Sequence, residues 1–150
     1  MRYCCSPMKV DGLPSNPIKI ACGWGHTAAC LSSGELYTWG QGEYGALGTG
    51  TLESSPFPIK SELRSGVKAV GVSCGSRHTT IICSDKNLTR HLYTWGAGDA
   101  GQLGLGNTAK VLTPTRVNVE DVLDVAAGSF HTVLCDSEGR VWTMGGNKFG

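Results

Sequence analysis

Apolar and polar residues alternate over Ile18-Lys19-Ile20-Ala21-Cys22, the period of a strand with one buried face, and Gly23 ends the run. Thr27 to Leu31 follows as five nearly all-apolar residues, too short for a helix and suited to a strand covered on both faces. Ser32-Ser33-Gly34 turns the chain, and the β-branched and aromatic run Glu35 to Trp39 returns beside its predecessor, which predicts a hairpin. A Pro-x-x-[Val/Ile] segment completes a set of four short strands, near 8–11, 18–22, 27–31 and 35–39 in the first pass. No stretch shows helical periodicity.

The pattern is written again twice. Gly23-x-x-His26-Thr27, Gly75-x-x-His78-Thr79 and Gly128-x-x-His131-Thr132 stand 52 and 53 residues apart. Upstream of each, Ile18, Val70 and Leu123 correspond; downstream, Trp39, Trp95 and Met144 do. Pro7-x-x-Val10, Pro56-x-x-Ile59 and Pro114-x-x-Val117 close the unit. Four antiparallel strands repeated at about 50 residues describe a propeller blade, whose sheet buries its faces only against neighbouring blades. The expected fold is therefore all-β, an incomplete β-propeller. Its expected divisions are 1–13 as the end of a preceding repeat, 14–65 and 66–118 as repeats, and 119–150 as a truncated one.

The middle hairpin breaks the pattern. Between Cys83 and Leu92 it carries four residues more than its siblings, so its tip is expected to protrude, with Lys86, Arg90 and His91 as exposed polar contacts for a partner.

Leu92-Tyr93-Thr94-Trp95-Gly96-x-Gly98-x-x-Gly101-Gln102-Leu103-Gly104-x-Gly106, its sibling starting at Leu36, the Gly-x-x-His-Thr elements and the Pro-x-x-Val segments together resemble the repeat of the regulator of chromosome condensation family, over practically the whole chain. Met144, Trp142 and Asn147 depart from it, at positions of tryptophan, tyrosine and glycine. The resemblance implies a seven-bladed β-propeller. The kelch repeat has a similar length, but its double glycine appears once, at Gly145-Gly146, and the His-Thr element argues against it.

The family includes a guanine nucleotide exchange factor for a Ran-type small GTPase and many interaction modules without exchange activity. The shared repeat favours protein binding through blade loops as the general reading, with exchange activity as the alternative. Exchange does no covalent chemistry; it works by binding the nucleotide-free GTPase more tightly than the loaded form. The family's exchange wedge has no residue-by-residue match here.

Charge and composition narrow the rest. Thirteen basic and twelve acidic residues give a net charge of +1, which offers little to nucleic acid, chromatin or an acidic membrane surface. Neither a signal peptide nor a membrane-spanning run is present in the sequence, which implies a cytoplasmic or nuclear protein that is not secreted. Of seven cysteines, Cys22, Cys30, Cys74, Cys83 and Cys135 fall in strands and are expected to be small buried thiols.

The chemistry motifs have structural explanations. Gly40-x-Gly42-x-x-Gly45 and Gly96-x-Gly98-x-x-Gly101 spell a dinucleotide fingerprint, but the glycines and prolines that follow exclude the helix such a site needs. His26, His78 and His131 belong to separate sheets, so each is expected to hydrogen-bond within its own blade rather than share a metal. No nucleophile-base pair or recurring carboxylate pair is present, so no catalytic residue, cofactor, metal or small-molecule substrate is assigned. Two and a half units are fewer than the roughly four to eight blades of a closed propeller, so the chain is expected to be a piece of a longer one, with exposed edges and apolar blade faces.

Overall fold

A computed structural model describes residues Cys4–Lys148; Met1–Tyr3 of the 1–13 segment and Phe149–Gly150 of the third glycine loop lie outside the described residues. The described chain forms eleven strands in three antiparallel sheets, each laid down in chain order. The first holds β1 (Pro17–Cys22), β2 (His26–Leu31), β3 (Leu36–Gly40) and β4 (Ser55–Ser61). The second holds β5 (Lys68–Cys74), β6 (His78–Ser84), β7 (Arg90–Gly96) and β8 (Val111–Glu120). The third holds β9 (Val122–Ala127), β10 (His131–Asp136) and β11 (Val141–Gly145). No helix occurs among the described residues, so none there can cross a membrane, and the loops after Gly40 and Gly96 run as turns.

The Pro56 and Pro114 segments close their sheets as the fourth strand, pairing Tyr37 with Lys60 and Tyr93 with Arg116. That place suits proline, which lacks a ladder donor and is tolerated on an outer strand. Residues 8–11 form no strand, since no Leu-Tyr-Thr-Trp strand precedes them among the described residues to pair with.

Strand alternation sorts the middle sheet's side chains between its neighbours. Ala69, Cys74, Ile81, Cys83, Tyr93 and Trp95 pack on Ala28, Cys30 and Leu36 of the first sheet. Ile82, Leu92 and Val117 turn the other way, onto Val122, Val125 and Leu134 of the third. Strand β6 is thus buried on both faces from His78 to Cys83. The outer faces of the set carry exposed apolar residues: Ile20 (73%) on the first sheet and Val141 (71%) on the third.

The cysteines follow this geometry. Cys30, Cys74 and Cys83 are buried between the first two sheets, whereas Cys135 is half-buried and Cys22 exposed. Cys22 is the repeat equivalent of Cys74, but no sheet among the described residues covers its side. The expectation of a buried thiol fails there for that reason.

Candidate functional site

The repeated histidine proves to be a clasp between blades, not a contact within one. His26 Nε2 lies 2.9 Å from Thr79 Oγ1 of the next blade, and His78 Nε2 lies 2.9 Å from Thr132 Oγ1 of the blade after. Each threonine hydroxyl spends its proton on a glycine-loop carbonyl of the histidine's blade: Thr79 on Ala46 (2.8 Å), Thr132 on Gln102 (2.9 Å). The hydroxyl must therefore accept from the imidazole, which fixes the proton on Nε2 in both residues. Burial lowers both imidazoles to about 4, with the neighbouring histidines adding to the effect on His78. Both rings stay neutral at pH 7 and serve as donors of one structural hydrogen bond. His131, with no following blade among the described residues, is exposed.

Tryptophan and glycine complete the clasp. Trp95 Nε1 donates to the same Ala46 carbonyl at 2.8 Å, and its ring lies so close to Gly48 that a Cβ there would sit 2.7 Å from Nε1. In the third blade Met144 lies against the equivalent Gly104, but a thioether cannot donate to Gln102. Each loop is also tied to its own blade, by Thr38 to the Leu47 carbonyl and Thr94 to the Leu103 carbonyl, both at 2.7 Å. The motif residues are thus consumed by architecture, and what can serve another role is what differs between repeats.

The largest difference is the hairpin between β6 and β7. The first sheet's equivalent ladder stops at Cys30↔Leu36, the counterpart of Ile82↔Leu92; the middle one continues with Cys83↔His91 and Ser84↔Arg90. Strand β8 extends alongside, pairing Glu120 with His91. The projection is therefore a three-stranded extension of the sheet rather than a loose loop.

Asp85 organises its tip. Its Oδ1 accepts the amides of Asn87 (2.8 Å) and Thr89 (3.0 Å), and its Oδ2 accepts His91 Nε2 at 3.1 Å. These bonds, His91's first, hold the carboxyl below its usual range. Asp136 builds the same turn in the third blade, accepting the amides of Glu138 and Arg140 at 3.0 Å, and the Trp142 indole with the Arg140 side chain lowers it to about 2.

At the corner of these turns Gly34 (φ 89°) and Gly139 (φ 79°) take left-handed conformations, and the middle blade puts Leu88 there at φ 64°. The same turn bond marks all three, from the corner amide to the carbonyls of Leu31, Asp136 and Asp85. A leucine in this region is strained by about 1–2 kcal/mol, yet Leu88 is 81% exposed and gains little burial in return.

Of the residues the sequence singled out, Lys86 and Arg90 are exposed on the projection. His91 is not the exposed contact expected: at 6% exposure it is a buried strut under the tip, because the added pairs place it between β6 and β8. Sequence reasoning passed over Leu88, whose signal was a leucine aligned with Gly34 and Gly139.

Two hollows flank the projection. One, of about 380 Å³, is lined by Arg64–Val67 of the linker between β4 and β5 with Asp85, Lys86, His91, Tyr93 and Arg116. The other, of about 680 Å³, runs from Ser33–Glu35 past Gly66–Lys68 to Ser84–Lys86 and Leu88. At the opposite ends of the strands, Trp24 is 73% exposed and the Arg77 guanidinium stacks 4.2 Å above the Tyr44 ring.

Repeated antiparallel sheets clasped face to face define this chain as an incomplete β-propeller built of repeats. The sequence pattern of the Regulator of chromosome condensation (RCC1) repeat matches residues 33–82 and 91–135, and a second pattern of the same description matches 18–46, 69–102 and 122–150. The chain belongs to the RCC1 repeat family. It is 37% identical to the human E3 ubiquitin-protein ligase HERC2 over 147 residues, 95% of this chain and 3% of that protein. It is 38% identical to the ultraviolet-B receptor UVR8 of Arabidopsis thaliana over 129 residues, 84% of this chain and 28% of the receptor. The structure of Prp20p from Saccharomyces cerevisiae superposes with a TM-score of 0.74 at 26% identity, covering 93% of this chain and 33% of that one. The chain thus spans about a third or less of the length of each of these relatives.

Proposed function

We propose that the chain is a protein-binding segment of an RCC1-repeat propeller, working in the cytoplasm or nucleus, and that it meets its partner through the projection 83–91. Lys86 and Arg90 are presented to the partner, Leu88 stands between them, and His91 with Asp85 holds the tip rigid. The repeat divisions are 14–65, 66–118 and 119–150, with 1–13 closing a preceding unit. The observation that carries the reading is Leu88 itself: an exposed apolar side chain in a left-handed corner where both sister turns have glycine. Local strain retained without compensating burial is what a contact residue leaves on a fold.

The test uses Leu88→Gly. Relief of the strained corner predicts a chain at least as stable as the parent, by up to about 1 kcal/mol, so lost binding has no explanation in unfolding. Proteins captured from cell extract by the parent and absent from the variant support the reading; identical capture by both refutes it.

Exchange activity on a Ran-type small GTPase is the second reading. It is favoured by the likeness to Prp20p, whose structural description covers binding to Gsp1p and histones. Faster nucleotide release from such a GTPase in the presence of the chain is its test, and an unchanged rate removes it.

A further inference from the structure

We infer that the partner segment seated beside the projection is an acidic peptide, running along the linker 64–67 with an apolar side chain against Leu88; this rests on the projection being the partner contact.

The two hollows adjoin at Gly66, Val67, Asp85 and Lys86, and together they make up the trough between the linker and the hairpin. Its carboxylates are already committed. Asp85 is held by two backbone amides and His91, and Glu35 by Lys60 at 2.9 Å and Ser33 at 2.9 Å. Its cations are not: Arg64, Lys68 and Lys86 have no ion-pair partner among the described residues. Arg116 shares its charge with Glu120 at 2.7 Å on the trough's outer wall.

A trough whose acids are internally satisfied and whose cations are free presents a positive field, although the whole chain carries only +1. Val67, Val70 and Leu88 add an apolar strip along the same trough. Carboxylates spaced along an extended peptide, with a leucine-sized side chain among them, complement both features. A basic peptide would meet three unpaired cations and no available carboxylate, so the trough selects against it as well.

The probe is a fluorescein-labelled decapeptide of alternating Asp and Glu around one central leucine, titrated by fluorescence anisotropy into the full chain, with a Lys/Arg peptide of the same length as comparison. The expected outcome is saturable binding of the acidic peptide alone, weakening about fivefold between ~50 and ~300 mM salt as the charges are screened. Arg64→Glu with Lys86→Glu is expected to weaken it about tenfold, whereas Lys110→Glu, a single reversal at the opposite strand ends beside Tyr44, leaves it unchanged.

Equal binding of both peptides, indifference to the double reversal, or an equal loss from Lys110→Glu overturns the inference. If the acidic peptide fails while Leu88-dependent capture from extract persists, the acidic occupant is wrong and the projection stands. If that capture also fails, the projection itself is wrong.

Discussion

Replacing Thr132 with valine keeps the shape of a fully buried side chain and removes one hydroxyl that serves two bonds. The His78 Nε2–H loses its acceptor and the Gln102 carbonyl its donor, both at 2.9 Å. Met144 cannot supply the carbonyl with a substitute. Each buried group left unpaired costs about 1–3 kcal/mol, so the variant is expected to lose about 4 kcal/mol. Thr79→Val is milder: it orphans His26, but the Ala46 carbonyl keeps its bond from Trp95 Nε1. About 2 kcal/mol is expected there. Thr27, the first-blade equivalent, receives no such histidine bond among the described residues, and its valine variant is expected within about 0.5 kcal/mol of the parent. Urea unfolding at pH 7, compared at a common slope, ranks the three. A Thr132→Val chain as stable as the parent, or a Thr27→Val chain that loses as much as Thr132→Val, refutes the clasp.

Further outcomes follow from the same geometry. His26 and His78 are neutral when folded, with pKa near 4, and bind a proton when unfolded with pKa 6.5. Their contribution is therefore whole above pH 6.5 and declines toward pH 4, by roughly 1.4 kcal/mol per histidine per pH unit in between; unfolding free energies that do not fall between pH 7 and 5 contradict this. Burial holds the Cys30, Cys74 and Cys83 thiols up at about 12, so N-ethylmaleimide is expected to modify exposed Cys4, Cys5 and Cys22 in the folded chain and those three only after urea, as read by peptide mass mapping. Gly48→Ala places a Cβ against the Trp95 indole at a φ of +69° and is expected to cost about 3 kcal/mol in urea unfolding.

The blades were legible because their signals are local: strand alternation, the glycines that turn the chain, and the 52- and 53-residue spacing of His26, His78 and His131. The clasp was not, because His26 and Thr79 are neighbours only once two blades face each other. A motif that recurs in every blade reads equally well as internal to each. The strand expected at 8–11 did not form, since a period marks where a strand recurs but not whether the strand it pairs with is there. The four-residue insertion was visible and its rigidity was not. His91 reads as one more polar tip residue until its pairing with Cys83 and Glu120 buries it. The trough required knowing that the linker 62–67 lies beside residues 85–91, a contact between segments that share no pattern.

The proposed partner contact is the projection, and not the turns all repeats share. A photo-crosslinking residue placed in turn at position 88 and at the equivalent corners 34 and 139 tests it directly in cell extract. A discrete covalent adduct is expected from position 88 and none from the other two. Adducts of equal yield from all three corners, or from 34 or 139 alone, would contradict it.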